Sequence, residues 1–403
     1  MSVWPNVRVV YSQMPMASYS LRARCAFFAL TCALCLFLWQ ALTVRYNYSG
    51  NWTGLFCTGA LYGTPPGLSE KLYVFPNWGY DGQLYHYIAH DPLFRRGFAS
   101  HFDAPRLRYR RILVPGLAFL LAGGQDGAVD IAYYGVVLGF ILLGAYWLGR
   151  FGTLLGYGPW FGLCFAFVPA VLVSVDRLTV DGALAACSAG FALYAREWRP
   201  RKLYAVLAAA ALVRETGLIL VVACVLWLAL ERRFREAILF STAALPAACW
   251  YVFVALHTAP SGAGLLTPLL FSGIADRILH PQLLAASASI RLLAEALDLL
   301  ALAGILGSLL WAVRRAVQRS LTPLTIAIYL FAILAITLAR GDAWSEVYAF
   351  GRTLTPLLFL SALDGLSVGR VWPAAAMLAL DPRIALQMAG QFLNVLRGVA
   401  ALR

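Results

Sequence analysis

The sequence predicts an all-α, polytopic membrane protein, and three observations carry that class. Hydrophobic residues make up 61% of the 403-residue chain and charged residues only 13%, against about 25% charged in a soluble globular protein. Mean hydropathy is +0.73. Apolar runs recur along the whole length, with short basic clusters between them. A net charge of +13 would suit a nucleic-acid binder if it formed one patch. Here much of it is divided among the breaks between apolar runs, which is how a membrane chain is oriented. The expected partner is therefore the bilayer and not nucleic acid. Residues 1–403 read as a single transmembrane domain.

The first apolar run, Cys25 to Val44, is long enough to span and lacks a cleavage site, so it should remain as a helix. Arg8, Arg22 and Arg24 flank it on the N-terminal side. Further runs occupy 128–149, 157–174, 182–195, 203–213, 216–230, 237–256, 290–313, 321–339 and 353–369. The clusters REWRPRK (196–202), ERRFRE (231–236) and RRAVQR (314–319) interrupt them. Placing all these basic groups in the cytoplasm puts the N-terminus inside and makes 45–127 the first outer loop. The run RILVPGLAFLLA (111–122) is too short to span and stays on the outer side. Residues 203–230 must go out and return between two cytoplasmic clusters, which predicts a short hairpin with VRET (213–216) at its tip. Outer loops follow at 257–289 and 340–352. Residues 371–403 form either a last span or interfacial helices. The total expected is about ten or eleven transmembrane helices.

In this topology the acidic residues gather outside and at helix mouths. Asp176, Asp181 and Glu215 lie where a cavity open to the outer face would be lined, and Arg214 beside Glu215 makes an intramembrane ion pair, which is functional by default or a salt bridge closing the hairpin. The first outer loop carries RLRYRR, with Arg106, Arg108, Arg110 and Arg111. Arginine's planar fork matches phosphate oxygens, so the group reads as a lipid-phosphate site or as contact with anionic headgroups. The stretch NWGYDGQLYHYIAHDPL (77–93) predicts a short amphipathic helix lying on the membrane surface. Leu84 and Ile88 share one face, and Gln83, His86, Tyr87 and His90 another. Asp81 reads as a helix N-cap or as a reactive carboxylate, with Asp91 in reserve. His86 and His90, four apart, suit a metal; the favoured reading is a polar face, with no metal assigned and a divalent cation the one cofactor left open. Tyr85, Tyr87 and Trp78 would either stack on a sugar or anchor at the interface.

Taken in order, these motifs resemble the GT-C class of integral-membrane glycosyltransferases, in particular bacterial members with a Tyr-Asp-Gly…Asp-Pro signature in the first loop. The carrying segments are YDGQLYHYIAHDP (80–92), RYRRILVPGLAFLLA (108–122), DRLTVDGALAA (176–186), ALVRETGLIL (211–220) and YAFGRTLTPLL (348–358). The resemblance implies transfer of a sugar from a polyprenyl-phosphate donor to an acceptor on the outer face, usually with inversion. The acceptor, whether glycan, lipid or protein, is not specified. It implies an acidic residue in the first outer loop as base, which by position is Asp81. Many members have two adjacent acids there; this chain has one. Arg214, Arg352 and the RLRYRR group would stabilise charge on the departing phosphate, and Asp181 would hold sugar hydroxyls or orient Arg214. The implied location is the bacterial plasma membrane. Competing readings are a transporter or flippase of a lipid-linked sugar, a glycan ligase or polymerase, and an inactive relative.

Overall fold

The computed structural model describes residues 15–68, 71–260, 266–281 and 287–401. Arg8, Glu70 and parts of the 257–289 loop lie outside the described residues. The described residues are 77% helical, and the strands among them amount to one parallel pair, β1 (Thr58–Gly59) with β2 (Val74–Phe75). Four helical segments among the described residues are long and apolar enough to cross a membrane. The first lies in α1 (Pro15–Asn47) and the second is α5 (Asp126–Leu154). The third joins α10 (Phe234–Ser241) through a 3-10 turn to α11 (Leu245–His257), and the fourth is α13 (Ala288–Val317). Their outer faces expose large apolar side chains, among them Leu30, Leu34, Leu38, Ile131, Leu256 and Val317. A water-soluble protein hides such stripes, whereas lipid tolerates them.

Four such segments are fewer than the ten or eleven expected. The remaining apolar runs are cut short by polar or proline breaks. α7 (Asp181–Glu197), α8 (Pro200–Val213), α9 (Leu218–Leu230) and α14 (Pro323–Thr337) have 17, 14, 13 and 15 residues. A 3-10 segment, Pro159–Phe167, meets α6 (Pro169–Arg177) at a 62° bend around Val168. α15 (Val347–Ser367) is longer but carries Arg352, Pro356 and Asp364; its first turns occupy Val347–Arg352, where the sequence predicts an outer loop. The described residues of the C-terminal segment include no helix of spanning length. They form α16 (Trp372–Leu378), α17 (Asp381–Gln387) and α18 (Ala389–Ala400), of 7, 7 and 12 residues, and α18 packs on α1.

The hairpin of α8 and α9 forms as the sequence requires. At about 1.5 Å per residue each arm is roughly 20 Å long, short of a hydrocarbon core of about 30 Å. The helix breaks at Arg214, whose backbone is extended (φ −157°, ψ 148°), and restarts through a 3-10 turn at Glu215–Gly217. Gly217 is obligatory there, because a Cβ would lie 1.9 Å from the Ala210 carbonyl oxygen. At the other end of α8 and α9 two basic clusters meet. Trp198 packs on Trp227 and Phe240, and the Arg233 guanidinium sits 4.2 Å over the Trp198 ring. Arg150, near the end of α5, binds Glu197 at 2.7 Å. The two clusters thus share one end of the molecule, and the starts of α7 and α9 lie at the other.

In the first loop, α2 (Asp81–His90) has the expected extent, followed by α3 (Pro105–Tyr109) and α4 (Leu113–Leu121). α2 is not a surface helix. Gly82 through His90 are all buried, because α2 packs against α4, the start of α5 and the 3-10 turn Trp52–Phe56. Its polar face meets protein rather than headgroups.

Candidate functional site: arginines and carboxylates at the helix mouths

The YDG turn is placed by its backbone. Tyr80 N–H donates to the Cys57 carbonyl at 2.8 Å, and the Gln83 amide accepts from Gly59 N–H at 2.9 Å while donating to the Trp78 carbonyl at 2.8 Å. Gly82 passes so close to the chain after α6 that a Cβ would fall 2.0 Å from the Arg177 carbonyl oxygen. Asp81 is therefore pinned as the first residue of α2. The N-cap position is occupied by Tyr80, so Asp81 is the first helical residue and not the cap. Its carboxylate binds arginines instead.

Those arginines tie several distant segments together. Asp81 Oδ2 accepts from Arg108 Nη1 at 2.7 Å and from Arg352 Nη2 at 2.5 Å. Arg108 also forks onto Asp103, at 3.1 and 2.7 Å. Arg352 reaches Asp181 Oδ2 at 3.4 Å and lies 4.9 Å over the Tyr80 ring. Asp181 in turn binds Arg214, which donates to Thr353 Oγ1 at 3.3 Å and stands 3.7 Å from Glu215. Arg111 closes the chain. It makes a two-pronged contact with Glu215 at 3.0 and 2.6 Å and donates to the Tyr85 hydroxyl at 2.7 Å. Four arginines and four carboxylates thus form one continuous, balanced network. Asp81 and Asp181 each sit in a first helical turn, where the helix dipole favours negative charge.

Exposure grades across the network. The Asp181 side chain is 1% exposed and Arg111 4%, while Asp81 and Arg108 are each 14%, Glu215 23% and Asp103 30%. The solvent edge therefore lies at Asp103, Asp81 and Glu215. Burial would push the Asp81 carboxyl up, but Arg108 and Arg352 outweigh it and hold the group well below the usual carboxylate range. The same contact raises Arg108, against the opposing effect of its burial. Two cavities, of ≈ 290 and ≈ 390 Å³, are lined by no member of the network. Each guanidinium group is ion-paired with the protein's own carboxylates, while the buried Nε atoms of Arg214 and Arg352 have no hydrogen-bond partner among the described residues.

Of the residues singled out in the sequence, the structure joins Asp81, Arg108, Arg111, Asp181, Arg214, Glu215, Arg352 and Tyr85. It places the others elsewhere. Asp91 is a loop brace, accepting backbone N–H bonds from Arg95, Arg96 and Phe98 at 2.7, 3.0 and 3.3 Å, so it is no reserve for Asp81. Arg106 binds the carbonyls of Ala255 and Thr258 at the end of α11, and Arg110 lies 5.4 Å over the Tyr251 ring. Asp176 accepts from the Tyr348 hydroxyl at 2.8 Å and is 3.3 Å from Arg177. Tyr85 is fully buried and Tyr87 packs among Leu68 and Phe98, so neither ring is a sugar platform. His86 faces Asp130 on α5 rather than the network; burial pushes its imidazole below the ordinary value more than Asp130 raises it. Asp103, Tyr80 and Thr353 are network members that sequence reasoning did not select.

Fold and site together define an all-α protein with, among its described residues, four helical segments fit to cross a membrane and an arginine–carboxylate network at one end of its shorter helices. No family model, curated protein or solved structure matches the chain.

Proposed function

We propose that the protein is a membrane glycosyltransferase that moves a sugar from a polyprenyl-phosphate donor to an acceptor at the membrane face carrying the network. The observation that supports this reading is the convergence of Asp81, Arg108, Arg111, Asp181, Arg214, Glu215 and Arg352 from separate stretches of sequence. That set supplies what displacement at an anomeric carbon needs: cations for the departing phosphate and a carboxylate for the acceptor proton. On the basic-inside pattern the network faces outward, and the N-terminus is cytoplasmic, as in a bacterial plasma-membrane enzyme.

The ion pairs between Asp81 and its two arginines suggest how donor binding and base release are linked. A carboxylate held far below its ordinary pKa is a weak base. A lipid phosphate seated on Arg108 and Arg352 competes with Asp81 for both guanidinium groups. Once released, Asp81 regains basicity and turns to the acceptor. The acceptor oxygen then bonds to the anomeric carbon from the face opposite the phosphate, its proton passes to Asp81, and the bond from carbon to phosphate oxygen breaks. The products are the glycosylated acceptor, with inverted configuration, and polyprenyl phosphate. Asp181 orients Arg214 and Arg352 throughout.

The test is loss of hexose from a labelled polyprenyl-phosphate hexose, followed with purified wild-type protein and with Asp81→Asn. The expected fall is about 10²–10⁴-fold, with donor binding retained. Full turnover in Asp81→Asn removes Asp81 as base. No turnover with any of several donors, combined with movement of the intact lipid-linked sugar across vesicles, replaces the transferase reading with a transporter.

A further inference from the structure

A second polar cluster lies beside the network and belongs to none of its ion pairs. α2 presents His86 and His90 four residues apart, and the first turns of α5 present Asp126 and Asp130 with the same spacing. In a helix that spacing puts both members of a pair on one face, so the two pairs confront each other. His86 Nε2 stands 2.6 Å from Asp130 Oδ1 and 3.2 Å from His90 Nε2, which is itself 3.5 Å from the same Asp130 oxygen. His90 Nδ1 lies 2.7 Å from Asp126 Oδ1.

These distances fit one tautomer of each neutral ring. In that arrangement Asp126 accepts from His90 Nδ1–H, and His90 Nε2 keeps its lone pair. Asp130 is an acceptor as well. Without a cation, the single proton that can hold the three atoms together sits on His86 Nε2. Two imidazole nitrogens and a carboxylate oxygen thus converge on one point. Nitrogen and oxygen ligands at about 2.0–2.1 Å in a tetrahedron lie about 3.3 Å apart, and the three separations observed bracket that value. The two histidines are buried, and the His86 ring is fixed by stacking on Phe56 at 3.9 Å. The contact from Asp126 to His90 is the carboxylate–histidine support that metal ligands commonly have. The ≈ 290 Å³ cavity, lined by His90, Asp126 and Arg96, offers a route in.

We propose that His86, His90 and Asp130 bind a divalent transition-metal ion of the zinc type, with a fourth position for water. On binding, the His86 proton moves from Nε2 to Nδ1, an atom with no hydrogen-bond partner among the described residues. Two neutral nitrogens and one carboxylate suit zinc better than magnesium or calcium, which take oxygen. The ion would clamp α2, and with it Asp81 five residues earlier, to the start of α5. The proposal does not depend on the sugar-transfer reading.

Its test uses the full-length, untagged protein in detergent. After stripping with a chelator, the protein is incubated with Zn2+ alone or Co2+ alone and freed of loose metal, and bound metal is measured. The expected result is one zinc per chain, with the visible spectrum of four-coordinate Co2+ on nitrogen and oxygen ligands. His86→Gln, His90→Gln and Asp130→Asn should lose the metal, and Asp126→Asn should weaken binding by about 10–100-fold. A wild-type protein that takes up neither ion overturns the proposal, as do folded variants with undiminished uptake. If the variants do not fold, the wild-type Co2+ spectrum decides: octahedral or absent absorption overturns the site.

Discussion

Two carboxylates close to the Arg352 guanidinium are displaced in opposite directions. For Asp81, Arg108 and Arg352 overcome burial, and the group stays far below its ordinary value of 3.8. For Glu346, burial wins over Arg352, Arg177 and Arg383, and the carboxyl is raised above its ordinary 4.5. The consequences for stability have opposite sign. The Asp81 contribution is complete above its ordinary value and is lost only as the pH falls well below it, so it is constant through neutrality. Glu346 favours folding fully below about 4.5, and that advantage disappears as pH rises through its raised folded value. Wild type should therefore lose stability on going from about pH 4.5 upward, and Glu346→Gln should remove part of that slope. Melting of the two proteins by tryptophan fluorescence across that range checks it. Parallel profiles would show that Glu346 is not the group responsible.

At the scale of the element, the hairpin tip depends on a glycine with no room for a side chain. A Cβ on Gly217 would overlap the Ala210 carbonyl, a backbone atom that cannot swing aside. Overpacking typically costs about 1–3 kcal/mol, and here it displaces Arg214 and Glu215 as well. Gly217→Ala should lower the melting temperature and disrupt the network. Gly135→Ala, in α5 with nothing near its Cβ position, should be neutral or stabilising by up to about 1 kcal/mol; equal effects at the two sites would remove the steric argument. The break itself was legible, because Arg-Glu-Thr-Gly interrupts two apolar runs between basic clusters. Asp81, Asp181 and Arg214 were legible for the same reason: charge at a helix mouth in an apolar chain is rarely idle. Asp91 and Arg106 were not separable from them. Their partners are backbone groups of a folded loop and a helix end, which no local pattern announces. The face of α2 was misread because a row of His, Gln and Tyr suits a headgroup layer or a polar protein neighbour equally well. The discriminating signal was present in Asp126 and Asp130, which repeat the four-residue spacing of the histidines.

Across the whole molecule, two of the basic clusters lie at one end of α8 and α9, and the balanced arginine–carboxylate network lies at the other. REWRPRK and ERRFRE touch through Trp198, Trp227 and Arg233, as two loops on one side of a membrane must be able to do. α7 runs from Asp181 in the network to Glu197 beside those clusters, and α8 returns from there to Arg214. The number of spans was less legible, since composition counts apolar runs while crossing depends on unbroken length, and breaks such as Val168 and Arg214 are local backbone events. The sorting still makes a firm prediction. Arg201 is an exposed member of the REWRPRK cluster, and Asp103 lies at the solvent edge of the network. Single cysteines at these positions, Arg201→Cys and Asp103→Cys, should react with a membrane-impermeant thiol reagent from opposite sides. In intact cells only Asp103→Cys should label, and in inside-out vesicles only Arg201→Cys. The native Cys35 and Cys249 are exposed on helices α1 and α11, each within a segment long and apolar enough to cross a membrane, and labelling of the parent protein supplies the baseline. Labelling of both variants from the same side would place the network and the basic clusters on one face, and would remove the orientation on which an outward-facing reaction depends.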